Sequence, residues 1–274
     1  MSSRSQTLSL GGLVTAGALT LSACGSSGPS APDLSTMSAK AIIKLATDNL
    51  KKEPSFEAKL TVPYTGQSTI TMDIVSDRHG SAKIHATFNG TAPAPNGSFE
   101  VVSSGGSVAV KFSKPLLEGI LAQQKASSGL SPAVMNVVVS GMADHWISPS
   151  SLNKAGFGGF NQLTSGITQI QSGLSLKNLE QTLGTANGPL GASIAKDGTT
   201  TYHGDKVAKL TGANGVVYIS TNATPLPVYA GSHDGSEGLE LSYPGTVTIT
   251  VPRSTFNLLK VLSEAIAKDL NAGG

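Results

Sequence analysis

Apolar and polar residues alternate with a period of two in five consecutive stretches between Phe56 and Phe112, and that pattern leaves few folds open to the chain. Phe56, Ala58, Leu60 and Val62 alternate with Glu57, Lys59 and Thr61. Ile70, Met72 and Ile74 repeat the pattern, followed by Ala82, Ile84, Ala86 and Phe88, by Phe99 and Val101, and by Val108, Val110 and Phe112. Successive side chains of a strand point to opposite faces, so each stretch predicts a strand with one apolar and one wet face. Gly66, Asp77 to Gly80, the Pro/Asn/Gly run from Thr91 to Gly97 and Ser104-Gly105-Gly106 supply the turns. Connections this short make the five strands an antiparallel meander.

Around the meander the period changes. Ala39, Ile42, Ile43, Ala46 and Leu50 recur at helical spacing behind a candidate N-cap, Ser38, and Pro54 ends the helix. Pro115 opens a segment with Leu116, Leu117, Ile120 and Leu121 on one side, and Pro132 opens another with Val134, Val137, Val138 and Met142. Leu163, Ile167 and Ile170 mark a third helical stretch, and Leu176, Leu179 and Leu183 a fourth, capped by Ser175. Strands return from Gly191: Ala192 to Ala195 and Thr200 to His203 flank Asp197-Gly198, a hairpin signal, and Gly204 to Leu210 and Val216 to Ser220 flank Asn214-Gly215, another. Leu226 to Ala230, Leu239 to Tyr243 and Val247 to Val251 complete the strands, and a helix from Ser254 to about Asn271 follows. This order predicts an α+β domain in which one continuous, curved antiparallel sheet carries helices against one face.

The N-terminal residues predict an address. Arg4 precedes an apolar stretch from Thr7 to Thr20, and Leu21-Ser22-Ala23 leads to Cys24, the only cysteine in the chain. The stretch fits a signal h-region and falls short of the roughly 20 apolar residues of a spanning helix. Leucine three positions before the cysteine, small residues at Ser22 and Ala23 and Gly25 after it match the lipobox of bacterial lipoproteins. The expectation is a signal peptide over 1–23, cleavage between Ala23 and Cys24, and a diacylglycerol on the Cys24 thiol. The alternative is an ordinary secretory signal cleaved nearby, leaving a soluble protein with a free thiol. Residues 24–37 then form a flexible tether and 38–274 a single domain, anchored outside the cytoplasm on the outer face of the cell membrane.

Composition and motifs narrow the chemistry. A formal net charge of +2 with 13% charged residues gives no basic patch for nucleic acid. No Gly-x-Ser-x-Gly elbow, His-Glu-x-x-His, Gly-x-x-x-x-Gly-Lys or Cys-x-x-Cys occurs, so no catalytic residue, metal ligand or cofactor is expected. His79, His85, His203 and His233 fall in turns or on polar strand faces. His145, between Asp144 and Trp146, is the one candidate for acid–base work, and no nucleophile accompanies it. Gly156-Phe157-Gly158-Gly159 has backbone donors but lacks the lysine of a phosphate loop; it reads as a loop before a helix.

The second strand block also carries a resemblance. Tyr202-His203-Gly204-Asp205-Lys206-Val207-Ala208-Lys209-Leu210, Gly215 to Ser220, Pro225-Leu226-Pro227-Val228, and Leu241-Ser242-Tyr243-Pro244 with Val247 to Pro252 resemble, in order, motifs of the LolA/LppX-type (LppX/LprG-like) lipoprotein superfamily of actinobacteria. Asp144-His145-Trp146-Ile147 marks the way into the central helical block, and the helix after Pro252 is an addition to the usual pattern. The resemblance implies a half-barrel whose concave face is covered by helices, enclosing an apolar cavity that takes the acyl chains of a lipid or lipoglycan. Leu116, Ile120, Val134, Val138, Leu163 and Ile167, with Phe88 and Phe112 from the sheet, are the expected lining. Such a protein carries lipid and is not an enzyme. The alternative is a sensor or adaptor that uses the same fold to meet an envelope protein.

Overall fold

The computed structural model describes residues 31–63, 69–90, 96–128, 131–154, 169, 175–253 and 256–272. Five strands come first after helix α1 (Ala39–Leu50): β1 (Ser55–Pro63), β2 (Thr69–Asp77), β3 (Ala82–Asn89), β4 (Gly97–Ser104) and β5 (Ser107–Phe112). Helices α2 (Lys114–Ser128), α3 (Pro132–Met142), α4 (Pro149–Lys154) and α5 (Leu176–Thr182) follow, then β6 (Ile194–Tyr202), β7 (Asp205–Gly212), β8 (Val216–Ser220), β9 (Pro227–Gly231), β10 (Gly238–Ser242) and α6 (Leu258–Ala272).

All ten strands form one open antiparallel sheet in the order β5-β4-β3-β2-β1-β10-β9-β8-β7-β6. Each meander keeps its sequence order, and they join where the last strand of the second pairs with the first strand of the first, Ala58 opposite Leu241 and Leu60 opposite Leu239. That register puts the apolar residues of both meanders on one face. Ala58, Ile74, Ile84, Val101 and Val110 form one cross-strand row there, and Leu241 continues it. On the same face Val217 pairs with Leu210 and Ile219 with Ala208, both pairs buried.

The helices cover this face in two groups. Ile42, Ile43 and Ala46 of α1 join Ala208, Leu210, Val217 and Ile219, while α2, α3 and α4 close over β1 to β5. Ser38 caps α1 as expected, accepting from the Ala41 amide at 3.3 Å, and Ser175 caps α5 through the Asn178 amide at 3.2 Å. Ser131 does the same for α3, with Pro132 in the first turn, where its missing N–H costs nothing. The α6 helix lies along α3, at a point where Gly141 leaves room for Val261; a Cβ there would sit 2.8 Å from a Val261 methyl. Upstream of α1, Leu34 is buried, and Lys196 Nζ donates to the Met37 carbonyl at 3.0 Å, so residues 34–37 lie against the second meander.

The structure corrects several local expectations. Asp197-Gly198 is not a hairpin: β6 runs straight through it, with a register shift between Lys196 and Thr199. Gly198 has φ +80°, which suits a bulge glycine as well as a turn glycine, and the β6–β7 turn falls at His203-Gly204. Asn214-Gly215 does sit in the turn between β7 and β8. Residues Val247 to Val251 form no strand, because β10 is already flanked by β1 and β9 and offers them no free edge. They cross the sheet's other face as an extended strap. The last helix begins at Leu258, later than Ser254, and the short helix α4 carried no readable period. Ile147 makes a lone bridge to Val110 at the β5 edge.

Candidate functional site

The expected lining divides cleanly. Phe88 and Phe112 project from the helix-covered face of β3 and β5, Leu116 and Ile120 from α2, and Val134 and Val138 from α3, and all six belong to one apolar cluster. Phe112 and Val138 are fully buried, Leu116 and Val134 nearly so, and Phe88 and Ile120 lie at its margin, with the Phe88 ring 5.9 Å from that of Phe99. Leu163, Ile167 and Gly156 to Gly159 lie outside the described residues, as do Ala23 and Cys24. No helix among the described residues is long and apolar enough to cross a membrane.

A small hollow lies between the helices and the second half of the sheet. Leu50, Leu179, Leu183, Pro189, Pro227, Ala230 and Leu241 line it, and it holds about 10 Å³. That is at most the space of a single water. Next to it the Tyr243 hydroxyl donates to the Pro227 carbonyl at 2.8 Å, and burial pushes its pKa well above the usual phenol value.

The sheet's opposite face carries a feature that the sequence reading missed. A cavity of about 550 Å³ opens there, floored by β1, β2 and β10 and walled by the β6–β7 turn. Neighbouring strands stand about 4.8 Å apart, so a flat sheet would hold β6 and β10 roughly 19 Å from each other. Yet His203 Nε2 lies 3.7 Å from Glu240 Oε1, and the Tyr202 ring packs 5.3 Å from those of both Tyr218 and Tyr229. The second meander therefore curls over this face. His203 at φ +49° and Gly204 at φ +90° make the two-residue turn that lets it do so, since both central positions of a type I′ turn need positive φ. Burial, then the nearby Glu240 charge, raises the Tyr202 pKa. One signal could have exposed the site: Tyr218, Tyr229 and Glu240 all fall on the polar parity of their strands, where three large or charged groups in cross-strand register imply a built surface.

The strap crosses this face farther along. Val247 to Thr250 and Pro252 pass beside Val75, Lys83, Val102 and Trp146, leaving a space of about 360 Å³. Lys111 sits over the Trp146 ring at 5.0 Å. His145 turns the other way: its ring stacks on Phe256 at 5.3 Å, nearly parallel, and its amide donates to the Met142 carbonyl. The stack is a packing contact between the end of α3 and the approach to α6. Among the described residues no group of three or more His, Cys, Asp or Glu is placed to hold a metal ion.

No family model and no curated protein matches this chain. Solved structures similar to it include LprF from Mycobacterium bovis, 11% identical, with a TM-score of 0.42 over 78% of this chain and 96% of that one. A DUF1329 family protein from Desulfovibrio piger is 14% identical, with a TM-score of 0.25 over 78% and 96%. A domain assigned as an outer membrane lipoprotein-sorting protein, from Vibrio parahaemolyticus, is 13% identical, with a TM-score of 0.24 over 82% and 99%. The chain's own strand order defines its architecture: an open ten-stranded antiparallel sheet with helices on one face.

Proposed function

We propose that this chain is an extracytoplasmic lipoprotein, anchored through a Cys24 diacylglycerol, that binds or transfers a lipid or lipoglycan by holding its acyl chains between helices and sheet. One observation carries the reading: Phe88, Phe112, Leu116, Ile120, Val134 and Val138 come from four elements into a single apolar layer. Leu163 and Ile167 are proposed to complete the lining. The helices that roof this layer are amphipathic and weakly charged, so an acyl chain replacing their contacts with the sheet would exchange one apolar neighbour for another at little cost. Such a protein carries its ligand and performs no chemistry on it. Organic extraction of the purified protein followed by mass spectrometry tests this: a co-purifying acyl lipid supports the carrier, and a lipid-free extract contradicts it.

A second reading has its own observation. The space described under α1 and α5 holds about 10 Å³, whereas the 550 Å³ cavity faces away from the helices. A filled helix layer with an open outer face suits a non-enzymatic sensor or adaptor for an envelope partner. A lipid-free extract would favour that reading.

A further inference from the structure

The outer-face cavity has a defined chemical character. Lys59 stands on its floor directly opposite Asp73 of β2 on one side and Glu240 of β10 on the other. Glu57 lies two residues along the same strand and accepts from the Ser242 hydroxyl at 3.4 Å, and Asp205 closes the wall below the turn. Four carboxylates thus surround one ammonium group. Among the described residues Glu57, Asp73 and Asp205 make no salt bridge, and Glu240 lies 3.7 Å from the His203 ring nitrogen and beside Tyr202. Tyr202 and His203 are the rings in the wall above them, and Tyr202 rests in turn on Tyr218 and Tyr229 outside the cavity, which lie 5.1 Å apart.

We infer that this cavity binds a small organic cation, a primary or quaternary ammonium ion, on the face of the sheet opposite the apolar layer. The excess of carboxylates over the single lysine creates a negative potential inside a cleft whose low-dielectric walls concentrate it. The Tyr202 ring in its wall adds the attraction between a cation and an aromatic ring, an interaction suited to bulky, weakly hydrated ammonium ions. A metal ion fits less well, because the carboxylates are distributed around the cavity and no three acidic or imidazole groups among the described residues converge on one point. The volume, about 550 Å³, lies in the range of small-molecule sites. The site's charged groups stand apart from lipid carriage: Lys59, Asp73 and Glu240 alternate along β1, β2 and β10 with the Ala58, Ile74 and Leu241 side chains of the apolar layer.

Titration of the purified protein with tetramethylammonium chloride, followed by two-dimensional NMR at ionic strength held constant with sodium chloride, tests the inference. Saturable shifts at Tyr202, Glu240 and Asp73 are expected. Glu240→Gln and Asp73→Asn keep side-chain shape and should each weaken binding about tenfold, the loss of roughly one favourable charge contact. Glu118→Gln, on the exposed side of α2, should leave it unchanged. The inference is overturned if no saturable shift occurs, if neopentyl alcohol, of similar shape and no charge, binds as well, or if both carboxylate variants bind normally. Saturable glucose binding without a response to tetramethylammonium would overturn it in favour of a carbohydrate site.

Discussion

Gly212 shows how single residues constrain this fold through backbone proximity. It ends β7 where the chain before β6 returns, and a Cβ there would stand 1.8 Å from the Leu190 carbonyl oxygen. Backbone cannot swing aside as a flexible side chain can, so Gly212→Ala should destabilise the protein by about 1–3 kcal/mol, read from the midpoint of urea unfolding at unchanged slope. Nothing in the sequence around Gly212 announced this contact, because its partner lies in a loop with no period. Charge at residue scale is easier to read. Asp48 of α1 accepts from Lys44 and Lys51, which hold its pKa at about 2 against an ordinary 3.8. A folded pKa below the unfolded one means that its contribution to stability is complete above pH 3.8 and is lost as the pH falls through about 2. A carboxyl-carbon NMR titration should place the Asp48 midpoint near 2, and Lys44→Met should move it upward.

At the scale of elements, the strands were legible wherever one face is buried and the other wet. All five strands of the first meander follow the alternation from Phe56 to Phe112, because a one-residue slip would turn every apolar side chain outward. The failures have physical causes. Asp197-Gly198 offers positive φ to a bulge as readily as to a hairpin, and local sequence does not distinguish them. Val247 to Val251 alternates like a strand and is half-buried like one, but it lies on the sheet's outer face beside Val75, Lys83 and Val102, with no edge to pair with. Arg78 joins elements that no local pattern connects. Its guanidinium donates to the Leu50 carbonyl at 2.6 Å, the Glu53 carbonyl at 2.8 Å and the Glu180 carboxylate at 2.7 Å, tying the β2–β3 turn to the end of α1 and to α5. Removing such charge-assisted bonds costs on the order of 2 kcal/mol, so Arg78→Ala should lower the unfolding free energy by about that much. Arg78→Lys should recover little, because an ammonium group cannot reproduce the planar fork.

At the scale of the whole molecule, one sheet presents two different surfaces. The apolar layer was visible from the sequence through six residues that pack in it, from Phe88 to Val138, because burial writes itself into periodicity. The outer cavity was not. It depends on the curl that brings His203 to Glu240 across four strand spacings, and curvature of this kind is a property of the assembled sheet. The proposed anchor belongs to this scale too. Cys24→Ser should abolish acylation and release the protein from the membrane fraction, and a variant that still sediments with membranes would contradict anchoring through Cys24. The most direct test of the central claim, that acyl chains lie between helices and sheet, is photolabelling of the purified protein with a diazirine-bearing palmitate and mapping of the labelled peptides. Label is expected on the segments carrying Leu116 and Ile120 of α2 and Val134 and Val138 of α3, displaced by unlabelled palmitate. Label confined to the outer face around Tyr202 and Glu240, or none that palmitate displaces, would contradict it.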